Sequence, residues 1–267
     1  MQRQPAVAGQ FYPGSFVQLQ HDLDSLIPKT AAKLKVIGII SPHAGYVYSG
    51  AIAGKVFASV EIPDTVLIIG PNHRGVGAAV ALYPEGEWLT PLGTVPICER
   101  LNSLLEQYVP SVTPDYHAHQ LEHSLEVQVP FIQYQRPDVS ISALCLGHVN
   151  SESVRQIGEG IASAIRNFGK DVLIVASSDM THYESAEVAK QKDCLALERV
   201  LSFDHHGLLQ VCHSENITMC GVKPSAVMLV AAQALGASTV KLVAYGTSGD
   251  VTGDNRQVVG YAAVAVW

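Results

Sequence analysis

Three histidines stand where a predicted strand has just ended, in segments rich in serine, glycine and proline. They are His43, His73 and His182, and the strands before them are predicted at residues 36–40, 65–69 and 171–176. Because ligands bind at the carboxyl ends of strands in open α/β sheets, we expect the three side chains at one edge of a sheet. Imidazole is a good ligand for iron, zinc, copper and nickel. The pattern predicts a mononuclear transition-metal site with His43 and His73 as two of its ligands.

Two residues are candidates for the third metal ligand. Cys220 lies just before a helix predicted at residues 224–235, and a thiol near a helix N-terminus is more readily ionised. The alternative role of Cys220 is that of a small buried apolar residue, which is common for a free cysteine. Asp179 could bind the metal, or it could hold His182 in one tautomer. His182 is then a natural general base.

The other histidines have different interpretations. His117, His119 and His123 have a spacing that could bind zinc, but they precede an amphipathic stretch and no cysteine lies near, so a separate zinc site is not favoured. His123 together with Glu126 could still reach the main site from the side as a further catalytic group. The expected role of His205, His206 and His213 is a solvated helix face.

The elements that must position these residues alternate between strand and helix. Besides the three strands above, β-branched runs predict strands at 139–146, 240–245 and 258–266. Helical patterns occur at 49–59, 97–108, 151–167, 185–201, 205–213 and 224–235, and the last has Pro224 at its expected first position. This order predicts one α/β domain over residues 1–267, with a central mixed sheet and helices on both faces. Residues 70–96 are either a long excursion or a hairpin, and strand 258–266 is expected inside the sheet.

Composition excludes several classes of function. The net charge is −7 and Lys and Arg form no run, which argues against nucleic-acid binding. No apolar run reaches the roughly 20 residues that span a bilayer, so no membrane association is expected. Five dispersed cysteines without a CxxC pair, and no secretory signal, predict a cytoplasmic protein with free thiols. Glycine-rich phosphate-binding motifs are absent as well.

Seven motifs together carry a resemblance to a known family. In chain order they are PAVAGQFYP (5–13), PHAGYVYSG (42–50), GPNH (70–73), EHSLEVQVPF (122–131), SSDMTHY (177–183), CG (220–221) and TSGDVTGD (247–254). The sequence resembles the Memo family over essentially its whole length. That family is similar in fold to the type III extradiol ring-cleavage dioxygenases, which hold non-haem iron with two histidines and a glutamate.

The resemblance implies roles for individual residues. His43 and His73 match the two histidine ligands, and His182 matches the catalytic histidine. Cys220 falls where the dioxygenases have glutamate, and a thiolate there favours softer metals. The implied cofactor is one transition-metal ion, with iron placed first and copper or zinc as alternatives. Asp179 remains an alternative carboxylate ligand.

Two functions follow as hypotheses, and both use the same pocket. The first is a metal-dependent oxidoreductase, and the second is a non-catalytic module that binds a small molecule or peptide in a vestigial dioxygenase pocket. A thiol hydrolase built on Cys220, His182 and Asp179 is a third and weaker alternative. The resemblance also implies a radical-SAM protein as a partner of prokaryotic members. The expected aromatic rim of the pocket consists of Phe11, Tyr12, Tyr46 and Tyr48.

Overall fold

The computed structural model describes residues 1–30, 32–109 and 111–267, in which strands and helices alternate. The strands are β1 (Gln2–Arg3), β2 (Gly38–Ser41), β3 (Thr65–Pro71), β4 (Val80–Leu82), β5 (Glu87–Thr90), β6 (Gly93–Pro96), β7 (Thr113–Pro114), β8 (Ser140–Leu146), β9 (Val172–Ser177), β10 (His182–Glu184), β11 (Val240–Thr247) and β12 (Val258–Val266). The helices are α1 (Phe16–Leu26), α2 (Tyr46–Ser59), α3 (Glu99–Tyr108), α4 (His117–Gln120), α5 (Val129–Gln135), α6 (Ser151–Phe168), α7 (Ala186–Leu201), α8 (His205–Ser214), α9 (Val222–Ala234) and α10 (Gly249–Thr252). A 3-10 turn at Glu126–Gln128 precedes α5.

Most strands belong to one mixed sheet, as the sequence predicts. The strand order is β10-β12-β2-β9-β3-β8-β4-β7, and β11 pairs with β12. Strands β2, β9, β3 and β8 are parallel to their neighbours in this group, whereas β12 runs antiparallel to β2. Strand β12 therefore lies inside the sheet, and its predicted position is confirmed. A separate three-stranded sheet joins β1, β5 and β6.

The strands of the parallel group are buried on both faces. Leu67 and Ile69 of β3 pack into a hydrophobic cluster with α3, α6 and α9. Val66 and Ile68 point the other way, into a second cluster with α1, α2 and α5. Side chains alternate along a strand, so a run of apolar residues fills both clusters. The predicted placement of helices on both faces is confirmed.

Local predictions at two helix starts need correction. Helix α2 begins at Tyr46, before the predicted residue 49, because the Tyr46 ring packs on Phe131 with a centroid distance of 4.7 Å and gains burial in the helix. Pro224 is the third residue of α9, a position that tolerates proline because the first N–H groups of a helix have no intrahelical partner. Residues 70–96 contain the predicted hairpin, formed by β5 and β6, and also β4, a strand of the large sheet that was not predicted.

Within residues 1–30, 32–109 and 111–267, no helix combines the length and the apolar character needed to cross a membrane.

Candidate metal centre

The order of the parallel strands brings the predicted histidines to one edge of the sheet. Strand β9 lies between β2 and β3, and all three run in the same direction. His43 follows β2, His73 follows β3, and His182 begins β10 after the turn that leaves β9. The three side chains line one cavity of about 970 Å³. The strand-end placement predicted from sequence is therefore seen in the structure.

Three imidazoles converge in this cavity, and one of them does not follow a strand. The potential ligand nitrogens of His43, His73 and His123 all lie within 4.8 Å of one another. The ring centroids are 5.2 Å apart for His43 and His73, and 4.7 Å apart for the stacked rings of His73 and His123. His123 comes from the loop after α4 and does reach the site from the side. Its position among the other two makes it a possible metal ligand, whereas the sequence suggested a catalytic group.

A chain of buried hydrogen bonds fixes the tautomer of His43. Gln128 Nε2 donates to Ser177 Oγ at 2.8 Å, and Ser177 Oγ donates its single hydrogen to the carbonyl oxygen of Ser124 at 2.6 Å. Ser177 Oγ also lies 2.9 Å from His43 Nδ1 and has no hydrogen left to give, so His43 Nδ1–H must be the donor. Nε2 of His43 is left with a lone pair. Burial lowers the pKa of His43, which keeps the ring neutral.

His73 is held by Glu122, which sequence analysis missed. The Glu122 carboxylate lies 2.8 Å from His73 Nδ1 and accepts the His73 backbone N–H at 2.6 Å. Burial alone would raise the pKa of Glu122, but its hydrogen bonds from His73 and from the Ser124 N–H lower it to about 2. The only sequence signal is its place beside His123.

Cys220 lies next to His43, as the resemblance implies. Its Sγ is 3.1 Å from His43 Nε2. However, Cys220 does not belong to the group of potential ligand atoms that all lie within 4.8 Å of one another. Since His43 Nε2 is unprotonated, the Cys220 thiol is the donor in this contact. Burial, with the nearby Asp179 carboxyl, raises the pKa of Cys220. The thiolate expected from the helix N-terminus is therefore not favoured in the metal-free protein, because desolvation outweighs the helix dipole.

Asp179 has a different role from the one predicted as a partner of His182. Its Oδ1 accepts the backbone N–H of His43 at 2.7 Å and that of Ala44 at 3.3 Å. Burial raises the pKa of Asp179 to about 7. The carboxyl group thus holds the loop that carries His43, and one of its oxygens is already engaged.

Thr218, and not Asp179, orients His182. The His182 backbone N–H donates to Thr218 Oγ1 at 2.7 Å, and the ring Nδ1 lies 3.0 Å from the Thr218 carbonyl oxygen. A carbonyl only accepts, so Nδ1 carries the proton and Nε2 keeps a lone pair. Burial lowers the pKa of His182. A neutral imidazole with one free nitrogen is suited to accept a proton.

The aromatic rim is partly as predicted. Phe11 and Tyr48 line the cavity, and Phe11 lies 4.8 Å from the His123 ring centroid. Tyr12 and Tyr46 do not line it. They are 3% and 5% exposed, because their hydroxyls find buried acceptors in Glu126 Oε1 at 2.7 Å and the Val127 carbonyl at 2.8 Å. Two tyrosines missed from sequence complete the wall, namely Tyr183 and Tyr261.

Glu126 is turned away from the histidines. It forms a buried ion pair with Arg3 at 2.7 Å and accepts the backbone N–H groups of Ala6 and Val7. The suggestion that Glu126 reaches the main site is therefore wrong. It pins the segment that carries Phe11, and so shapes the cavity wall indirectly.

Comparison with known proteins gives consistent matches over nearly the whole chain. The family model described as Memo-like protein matches residues 3–265. A MEMO1 family protein of Methanopyrus kandleri is 40% identical over 278 residues, which cover 99% of this chain and 98% of that protein. A MEMO1 family protein of Methanosarcina mazei is 41% identical over 267 residues, with 99% and 98% covered.

Solved structures of similar fold include the crystal structure of an uncharacterized protein from Escherichia coli K12, with a TM-score of 0.54 and 14% sequence identity. The match covers 86% of this chain and 99% of that chain. At this identity the similarity concerns the fold alone.

Proposed function

The chain belongs to the Memo-like family, and we propose that it binds one transition-metal ion at His43, His73 and His123 for redox chemistry on a small molecule. The observation that carries this proposal is the approach of the three potential ligand nitrogens to within 4.8 Å of one another. Iron or copper is the proposed ion, because imidazole suits both and a cysteine lies beside the group.

The residues present fit such an ion. Nδ1 of His43 and Nδ1 of His73 are engaged by Ser177 and Glu122, which leaves each Nε2 unprotonated; on His43 that nitrogen accepts the Cys220 thiol hydrogen, which an ion would replace. Burial lowers the pKa of both His43 and His123, and a metal binds the neutral ring. Cys220 Sγ lies 3.1 Å from His43 Nε2 and would be a further metal ligand once the thiol has lost its proton. When bound, the ion would supply electron transfer and open positions for the substrate.

The remaining cavity residues have roles that the structure supports. His182 Nε2 is placed to take a proton from a substrate hydroxyl, since its Nδ1–H is bound to Thr218. Phe11 and Tyr48 offer ring faces against which a flat substrate can pack. Asp179 keeps the His43 loop in place through two backbone hydrogen bonds.

Metal content tests the site directly. We expect anaerobically purified protein to carry about one ion of iron or copper per chain by elemental analysis, and the His43→Ala/His73→Ala variant to carry almost none. His213→Ala is the matched control, because this histidine is exposed on α8. Equal and low metal content in all three proteins would exclude the site.

Oxygen consumption separates catalysis from simple binding. With the iron-loaded protein and a catechol, we expect oxygen uptake that falls roughly 10²–10⁴-fold in His182→Ala, the range for loss of a general base. The alternative is a non-catalytic binding module, which the exposed rings of Tyr48 and Tyr183 at the cavity favour. Iron-loaded protein that binds a catechol without any oxygen uptake would support that alternative.

A further inference from the structure

We infer that Glu122 is a positioning residue of the metal centre, and that it keeps His73 in the Nδ1–H tautomer and favours the same tautomer in His123. The inference rests on the proposed metal site, since it concerns two of the three ligands. One carboxylate in the loop after α4 therefore orients these two imidazoles, and the strand ends alone do not.

The contacts of Glu122 carry the inference. Its side chain is fully buried, and Oε1 lies 2.8 Å from His73 Nδ1. The same Oε1 lies 3.5 Å from His123 Nδ1, which is longer than a hydrogen bond but close enough for the negative charge to act. Oε2 accepts the His73 backbone N–H, so both the ring and the backbone of His73 are fixed.

A carboxylate determines the tautomer because it only accepts hydrogen bonds. His73 Nδ1 must therefore carry the hydrogen, and Nε2 keeps the lone pair that a metal needs. Carboxylates in this position also make an imidazole a more basic ligand. The Glu122 carboxylate also attracts a hydrogen on His123 Nδ1, and so it favours the Nδ1–H tautomer of the second ring as well.

Arg3 holds the backbone of Glu122 in place. Its guanidinium donates to the carbonyl oxygens of His119 and Glu122, each at 2.8 Å, and pairs with Glu126 at 2.7 Å.

Asp193 of α7 is a buried carboxylate away from Glu122, and it accepts hydrogen bonds from the Thr181 N–H and the Tyr245 hydroxyl. The chain thus offers a matched control for the loss of a buried negative charge.

Glu122→Gln preserves the shape of the side chain but no longer requires the Nδ1–H tautomer of His73. In the wild-type protein, Oε1 of Glu122 accepts hydrogen bonds from the Ser124 N–H and the His73 ring, and Oε2 accepts one from the His73 backbone N–H. An amide has one accepting oxygen and one donating nitrogen. If its nitrogen faces the ring, His73 must move its hydrogen to Nε2, which removes the lone pair from the cavity side.

Cobalt(II) affinity measures the effect without any turnover. We expect Co²⁺ to bind Glu122→Gln 10–100-fold more weakly than wild type, the usual effect of losing such a carboxylate. Asp193→Asn should keep the wild-type Co²⁺ affinity, even where its unfolding curve shows a loss of stability. Equal affinity in wild type and Glu122→Gln, or an equal loss in both variants, would overturn the inference.

Nitrogen-15 NMR of the imidazoles gives a readout that needs neither metal nor variant. Metal-free wild type should show His73 as the Nδ1–H tautomer near neutral pH, and an Nε2–H tautomer would contradict the role of Glu122. In folded Glu122→Gln the His73 signals should change toward the Nε2–H pattern. Failure of wild type to bind Co²⁺ would reject the proposed metal site, whereas the tautomer still decides the role of Glu122.

Discussion

The buried imidazole of His119, which lies outside the cavity, makes the stability of the folded protein depend on pH. His119 is fully buried, and its ring packs edge-on against Tyr83 and Trp88 with centroid distances of 5.6 and 6.0 Å. Its Nε2 lies 3.1 Å from the Ala81 carbonyl oxygen. Burial lowers the pKa of His119 to about 4, so the folded protein holds this ring neutral.

The pH dependence of stability should reveal His119. Its pKa is lower in the folded protein than the usual 6.5, so the unfolded chain binds more protons between pH 6.5 and 4 and stability falls as pH falls through that window. Between pH 7.5 and 5, wild type should lose roughly 2 kcal/mol more unfolding free energy than His119→Gln. Urea unfolding at both pH values measures this difference, and parallel losses in the two proteins would contradict it.

Predictability from sequence differs among the site residues. His43, His73 and His182 were predictable because strand ends meet at one sheet edge. Glu122 was not, because its place depends on the contact of Arg3 with the same loop across more than a hundred residues. The burial of Tyr12 depends likewise on Glu126, which no local pattern reveals.

At the scale of elements, the close approach of α1 and α2 depends on one glycine. A Cβ at Gly54 would clash with the backbone carbonyl of Leu26, the last residue of α1. The absence of a side chain at this position lets α1 rest on α2, whose opposite end begins at Tyr46 beside the cavity.

Gly54→Ala should destabilise the protein. Alanine is about 1 kcal/mol better than glycine within a helix, but overpacking against fixed backbone costs about 1–3 kcal/mol, and the backbone contact here is severe. We expect a net loss of unfolding free energy in chemical denaturation. Ala51→Gly on the exposed face of α2 is the control, with an expected loss of about 1 kcal/mol. A Gly54→Ala protein as stable as wild type would show that α1 can move away freely.

The long elements were predictable and the short ones were not. Strand β12 has nine residues and matches its predicted bounds, because an apolar run of that length is a strong signal. Strand β1 has two residues and pairs with β5 far along the chain, so no periodicity could predict it. The order of the elements predicted the mixed sheet, whereas the small three-stranded sheet was predictable only through its β5–β6 hairpin, one of the two alternatives for residues 70–96.

At the scale of the whole molecule, metal binding should be linked to folding. An ion that binds the folded protein stabilises it by RT ln(1 + [L]/Kd), which is about 4 kcal/mol when free metal is 1,000 times Kd. We expect Co²⁺ to raise the melting temperature of wild type and to leave that of the His43→Ala/His73→Ala variant unchanged. An equal shift in both proteins would show that the ion binds elsewhere.

The radical-SAM protein partner that the resemblance implies stays a prediction.

The wide sequence separation of the three converging histidines has a consequence for biosynthesis. His43, His73 and His123 meet only after β2 and β3 are aligned through β9, and β2 needs β12 as its other neighbour. Until these strands have paired, the proposed site has no finished pocket, and each histidine is only an isolated weak ligand. We therefore expect the proposed site to take up an ion only in the folded protein, through the open mouth of the cavity.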